Sequence, residues 1–313
     1  MDSLRGMRRH VWPFVFLMPM LVLFGTFTVW PIVGSWIYSF FEWDGFGPLD
    51  HFVGLSNYRE AIFDPYFWNS FWNTFIIAVS DLVIELPLAL LLAVLLNNVA
   101  FRGRNVFRLL IFIPVVTTTA VVGVVFTVLL NPVGGPINEL LLKTGIVQEP
   151  INFLGSQGAA LSVIIAMTIW KACGTTMIYW LAGLQTIPVE VYEAAKIDGA
   201  GSSKIFLKIT IPLLVPIGTI IALLTFIGSL NPFDLVQTMT EGGPNFATDV
   251  NSTYIFRYAF NPQGTPRYGF ASAAGIVFGL AVLVLTLVQA WALRRVRAGR
   301  QVKKESLNGG ASV

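Results

Sequence analysis

Long apolar runs alternate along the chain with short polar breaks, and the breaks carry most of the charge. Val11 to Trp30 is an uncharged run of 20 residues. At about 1.5 Å per helical residue that is enough to cross about 30 Å of hydrocarbon. It predicts a first membrane span that continues towards Phe41. A cleaved leader is the competing reading. The run outlasts the apolar core of such leaders, about 7–15 residues, and no small-residue cleavage site follows it. Further spans are predicted over Phe67–Asn97, Leu109–Leu130, Ala159–Leu184, Ile211 to about Phe233, and Phe270–Leu293. The breaks are a polar, aromatic segment (Glu42–Tyr66), a basic connector with Arg102, Arg104 and Arg108, a loop with Pro132, Gly134, Gly135 and Pro136, and a polar loop (Asp234–Arg267).

One break differs from the rest. Ile187 to Pro216 is long, polar and patterned, yet lies between two apolar spans. Pro188 can open a helix, since a first-turn position has no N–H bond to lose. Glu190 and Glu193 fall in its first turns, where the helix dipole favours anions. Gly199 suits the left-handed residue that ends a helix. Ser202 or Ser203 can cap a second short helix reaching about Leu207, and Pro212 then opens the next span. A plain connector needs only a few residues. A turn built from Ala194, Ala195, Gly199, Ala200 and Gly201 lets a partner approach the backbone, as in helix-in-groove docking. The bland alternative is a structured connector and nothing more.

Composition fixes the class. The 313 residues are 55% hydrophobic and 12% charged, against about 25% charged in soluble domains. The fold expected is all-α: a polytopic membrane protein of six spans with a cytoplasmic helix-turn-helix loop. A single cysteine, Cys173, excludes an internal disulfide and a cysteine metal cluster. The two histidines, His10 and His51, lie in polar flanks, so no metal site is expected. A net charge of +3 gives no support for nucleic-acid binding. Orientation follows from the bias of Lys and Arg towards the cytoplasm. With the N-terminus inside, cytoplasmic segments hold 15 of the 20: three N-terminal, three in the connector, three in the 187–211 loop and six in the tail. Three segments are expected: a cytoplasmic N-terminus (1–10), a transmembrane domain (11–293) and a basic cytoplasmic tail (294–313), disordered from Gln301.

Glu193-Ala194-Ala195, Asp198-Gly199-Ala200, Phe206, Ile209, Pro212 and Pro216 resemble the "EAA" loop of ABC importer permeases. Ile211 stands where that pattern often has leucine. The resemblance extends along the chain: Phe52 to Tyr58, Asn73-Thr74, Phe107-Arg108, Trp170, Gly183-Leu184-Gln185, Glu241-Gly242-Gly243-Pro244, Tyr254, Phe260 and Tyr268 to Ala273. Together they look like the maltose and glycerol-3-phosphate type of permease, in the carbohydrate-uptake branch, and more like the first of its two paired permeases. The resemblance implies a bacterial or archaeal inner-membrane subunit. It would pair with a second permease, take a sugar from an extracytoplasmic solute-binding protein and be driven by two cytoplasmic ATPase subunits. ATP and Mg would sit on those ATPases, with no cofactor on this chain. The loop residues Glu190, Glu193, Ala194, Ala195, Asp198, Gly199 and Ala200 would form the ATPase contact.

The residues agree with that division of labour. No GxxxxGK[ST] phosphate loop exists in the chain, and no nucleophile-base set suggests a catalytic site, so an enzyme is not expected. Asp81 and Glu85, four apart, share a face of the second span, and Lys171 lies in the fourth at a depth within about 3 Å of Asp81. A charge at mid-bilayer costs about 2.5–3.5 kcal/mol or more, so pairing Lys171 with Asp81 or Glu85 is expected. Such a pair either sets helix register or lines a translocation path. A secondary transporter or channel using these three residues is the alternative function. Trp170, Asn231, Phe233 and Asp234, with Tyr179 and Trp180, are candidates to stack on and hydrogen-bond a sugar. Trp and Tyr are also simply enriched at membrane interfaces. A phosphorylated solute needs fixed cations and only Lys171 is on offer. If a carboxylate neutralises it, a neutral mono- or oligosaccharide fits better.

Overall fold

The computed structural model describes residues 14–98, 100–260 and 264–309, with side chains as far as Trp291. The expected N-terminal segment (1–10), the first residues of span one and the last four residues of the tail lie outside them. The helices are α1 Phe14–Tyr38, α2 Ser56–Phe63, α3 Pro65–Asn97, α4 Arg104–Val116, α5 Thr119–Leu129, α6 Pro136–Lys143, α7 Gln157–Leu184, α8 Val189–Ile197, α9 Ser202–Ser229, α10 Phe233–Met239, α11 Asn251–Ala259 and α12 Tyr268–Gly309. Among the described residues the one β pairing is an isolated bridge between Phe41 and Phe52.

Five helices are long and apolar enough to cross a membrane: α1, α3, α7, α9 and the Tyr268–Trp291 part of α12. The expected third span is not one helix. It is α4 and α5, bent by 97° at a break. Pro114 lies inside α4 and cannot donate to the preceding turn. Thr117 and Thr118 then turn to extended backbone, with ψ of 144° and 128°. The tail expected to be disordered from Gln301 instead continues α12 to Gly309.

Three helices share a defect. Gly25–Val29 in α1, Asp81–Glu85 in α3 and Phe206–Thr210 in α9 are π-turns. Each closes with an N–H reaching five residues back: Trp30 to Gly25, Leu86 to Asp81 and Ile211 to Phe206. The residue after each donor is a proline, Pro31, Pro87 or Pro212. Proline has no N–H, and its ring crowds the carbonyl four residues back. Widening the preceding turn accommodates that crowding without ending the helix. This corrects the expectation at the helix-turn-helix loop. Pro212 does not open a new helix: Ser202 to Ser229 is one helix that widens before Pro212.

The described residues form two compact units. The first holds the chain through Phe67 with Ile255–Leu280. In it the Asn57 amide donates to the carbonyls of Ser39 and Phe41 at 3.0 and 2.9 Å. Gly269 N–H donates to Trp43 O at 3.1 Å, and a Cβ there would stand 1.9 Å from Phe41 O. Two of the family-like motifs, Phe52–Tyr58 and Tyr268–Ala273, therefore fasten the same turn. The Arg267 guanidinium grips Glu60 in a two-bond fork at 2.7 Å each.

The second unit holds Trp68–Tyr254 and the chain from Ala281 on. Here α7 is the central helix, packed against α3, α4 and α9. Without hydrophobic drive between helices in lipid, small residues that admit close backbone contact matter most. Gly174 is such a residue: a Cβ there would lie 2.6 Å from Ile111 O of α4. At one end of α3 the Asn73 amide donates to the carbonyls of Ala247 and Asp249 at 2.8 Å each, and Asn251 N–H donates to Thr74 Oγ1. Asn73-Thr74 thus secures the loop that follows the Glu241-Gly242-Gly243-Pro244 motif.

Candidate functional site

Two places gather the expected residues. The first is the α8–α9 loop. Pro188 stands at the N-cap position, so Glu190 lies in the first turn and Glu193 one turn on. Gly199 has φ +72°, with Gly199 N–H bonding Lys196 O and Ala200 N–H bonding Ala195 O. This is the left-handed close expected of it. No side chain caps α9: Gly201 is its N-cap residue and Ser202 its first helical position. Tyr192 and Ile187 pack into the core shared by α3, α7 and α9, and Ala195 is buried beneath the loop. Glu190, Glu193, Ala194, Asp198 and Gly199 face outward, and Ala200 is half-buried. Ile197, an isoleucine in a polar loop, is 86% exposed.

The second is a cavity of about 470 Å³ bounded by α3, α7, α9, the α4–α5 break and the start of α10. The α3 π-turn brings Asp81 and Glu85 into it, 2% and 1% exposed. Thr168 donates to Asp81 Oδ1 at 3.3 Å, and Thr176 to Glu85 Oε1 at 2.5 Å. Glu85 Oε2 is buried and meets no donor. Lys171 also lines this cavity but pairs with neither carboxylate, contrary to expectation. Its ammonium donates to the carbonyls of Pro114, Val115 and Thr117 at 3.2, 3.4 and 2.7 Å. The reason is the broken span: α4 ends inside the membrane region, its last carbonyls lack helical partners, and a cation is the donor that best satisfies a helix C-terminus. Asp234, near the start of α10, lies close enough to attract the same ammonium.

The other expected sugar contacts are divided. Trp170 points away from this cavity and packs edge-on against Phe126, lining an apolar groove instead. Asn231, Phe233 and Asp234 do not line the cavity, although their neighbours Pro232 and Leu235 do. Tyr179 does line it, while Trp180 is buried with its indole N–H on Leu86 O. The sequence reading missed the hydroxyls, Thr119, Thr168, Thr175, Thr176, Thr225 and Ser229. A signal existed: Thr168, Lys171 and Thr175 recur at spacings of three and four, one face of α7.

Comparison with known proteins gives the family. Residues 85–298 match the model of the family described as "binding-protein-dependent transport system inner membrane component". The probable ABC transporter permease protein YurN of Bacillus subtilis is 34% identical, over 88% of this chain and 94% of its own. The lactose transport system permease protein LacF of Rhizobium radiobacter is 35% identical, over 90% and 93%. A solved bacterial ABC transporter involved in import of the acidic polysaccharide alginate superposes with a TM-score of 0.82 at 25% identity, over 95% of this chain and 99% of that one. A bacterial alginate ABC transporter in complex with an alginate pentasaccharide-bound periplasmic protein superposes with a TM-score of 0.81 at 25% identity, over 93% and 97%.

Proposed function

This chain belongs to the family of binding-protein-dependent transport system inner membrane components, and from that premise we propose that it is one of two permease subunits of an ATP-driven importer for a sugar or sugar-like solute. The solute class rests on the relatives, among them a lactose permease and alginate importers. An extracytoplasmic binding protein of the kind present in the alginate complex delivers the solute. Both termini and the α8–α9 loop face the cytoplasm, on the strength of the Lys and Arg bias. Two ATPase subunits carry ATP and Mg, and one of them grips Glu190, Glu193, Ala194, Asp198, Gly199 and Ala200.

The observation that carries this reading is the loop's two-sidedness. Its outer face presents carboxylates and the exposed Ile197, while Tyr192, Ile187 and Ala195 join its underside to the span core. A push on α8 therefore reaches α7 and α9 directly, since the loop has no slack in between. Because Ser202–Ser229 is one helix, displacement at the turn moves the wall that carries Thr225 and Ser229. The cavity between them is the solute path, with Asp81, Glu85 and the threonines as hydrogen-bonding partners for hydroxyl groups.

Gly199→Asp tests the reading. No neighbour crowds that position, so the variant strains the +72° turn without disturbing packing. Loss of co-purification with the ATPase subunits, with the chain still in the membrane, is expected. Unimpaired association and ATP-driven uptake would sink the proposal. The alternative, a secondary transporter using Asp81, Glu85 and Lys171, predicts solute uptake into vesicles without ATP.

A further inference from the structure

Apart from the polar cavity, α3, α4 and α7 bound an apolar groove of about 800 Å³. Ser80, Ile84, Leu88 and Leu92 run along its α3 wall, with Ile111 of α4 and Ala166 of α7 among the residues that complete it. From Ser80 to Leu92 the wall is about 18 Å long, at about 1.5 Å per residue. Half of a bilayer's hydrocarbon, about 30 Å in all, is about 15 Å. The groove therefore has the length of one leaflet's acyl chains. One end of it meets the basic connector. Arg108 Nη2 donates to Leu96 O at 2.7 Å, so the guanidinium lies one turn beyond Leu92 on α3 and one turn before Ile111 on α4. Arg104 is one turn further along the same face of α4, and Arg102 is in the turn that precedes it. Among the described residues no carboxylate pairs with any of the three, and the chain has no Asp or Glu between Glu85 and Glu139. The Nε of Arg108 is buried without an acceptor. Positive charge beside a span can serve simply to orient the chain. Orientation does not require an acyl-length groove that begins one turn from the charge.

We propose that the groove and the connector together form a site for one anionic phospholipid, with an acyl chain against Leu88 and Leu92 and the phosphate on Arg104 and Arg108. The two ends of the site fix the occupant. A helix of another chain would cover the apolar wall and leave the arginines to water. A phospholipid satisfies both, and guanidinium matches phosphate in geometry as well as charge. A headgroup of net negative charge is favoured because no carboxylate offsets the connector, and basic segments beside a span attract such headgroups. The inference depends neither on which solute the chain carries nor on which face of the membrane the connector occupies.

The test uses the full chain purified in detergent with the subunits that accompany it. Its melting temperature is followed as phosphatidylglycerol, or phosphatidylcholine with the same acyl chains, is added. Phosphatidylglycerol should stabilise at concentrations about tenfold lower. Two variants should each abolish that advantage: Arg104→Gln combined with Arg108→Gln, which removes the charge, and Ala166→Trp, which fills the groove from an exposed position. Equal stabilisation by the two lipids on the unaltered chain overturns the inference. So does an advantage of phosphatidylglycerol that survives in either variant, since the lipid would then bind elsewhere. If the double variant does not assemble because the bond to Leu96 O is lost, Arg104→Gln alone, which should reduce the advantage, and Ala166→Trp decide. Release of the accompanying permease by Ala166→Trp, with the chain still folded, would put another chain's helix in the groove and overturn the inference too. None of these outcomes bears on the importer reading, which Gly199→Asp tests.

Discussion

Lys171 and Arg267 are both cations held by oxygen atoms, and they show how far surroundings set the worth of the same contact. Lys171 sits in a membrane-spanning helix and closes the open end of another helix through three carbonyls. Arg267 forms a better fork, two bonds of 2.7 Å to Glu60, but both side chains are over 40% exposed. Water and salt can replace the second set of partners. The first set lines a cavity between spans, where fewer partners can take its place. The fork's geometry is the finer of the two, and its expected contribution is the smaller.

The largest effect should come from Lys171→Met. It removes the ammonium from the carbonyls of Val115 and Thr117, while Pro114 O keeps the Thr117 hydroxyl, and should cost roughly 3 kcal/mol, read as a fall in melting temperature in detergent together with loss of uptake. Lys171→Arg should recover part of the stability. A Met variant as stable as the parent would break the comparison. Next comes Thr176→Val, which keeps shape but leaves both Glu85 oxygens without a donor. The expected loss is about 1–3 kcal/mol; a neutral result would mean that Thr176 contributes packing alone. The smallest effect is predicted for Arg267→Gln, no more than about 1 kcal/mol, and less still at high salt. The hydrogen bond to Glu60 holds the Arg267 guanidinium above its ordinary range. A raised cation contributes stability that is complete below its unfolded value and lost only as pH rises through the folded one. Arg267 titration should therefore leave stability flat across neutral pH. A large effect of Arg267→Gln at neutral pH in high salt would remove the contrast with Lys171.

The spans and the helix-turn-helix form of the α8–α9 loop were legible because the bilayer reduces the problem to length and polarity. Twenty apolar residues must cross, and a polar stretch cannot stay inside. The glycine turn at Gly199 was legible for a similar reason, since a left-handed residue narrows the choice of amino acid. The partner of Lys171 was not. Sequence gives depth along a helix, and Lys171 and Asp81 do lie at similar counts into their spans. It does not give the direction in which a side chain leaves the helix, nor that the third span would break at Thr117 and present carbonyls to it. The hydroxyl lining of the cavity was hidden differently. Threonine is commonplace in apolar helices, where it can bond its own backbone, as Thr168 does to Ile165 O. Only the added contacts of Thr168 and Thr176 with the carboxylates distinguish them.

The proline-linked π-turns carry a consequence for anyone who counts along these helices. Each is a phase step in an otherwise regular screw. Residues on opposite sides of it no longer obey the three- and four-residue spacing that defines a common face, so α3 above Asp81 and α3 below Glu85 are angularly two helices on one axis. A segment exchanged between related chains will keep its orientation only if the widened turn and its proline travel together.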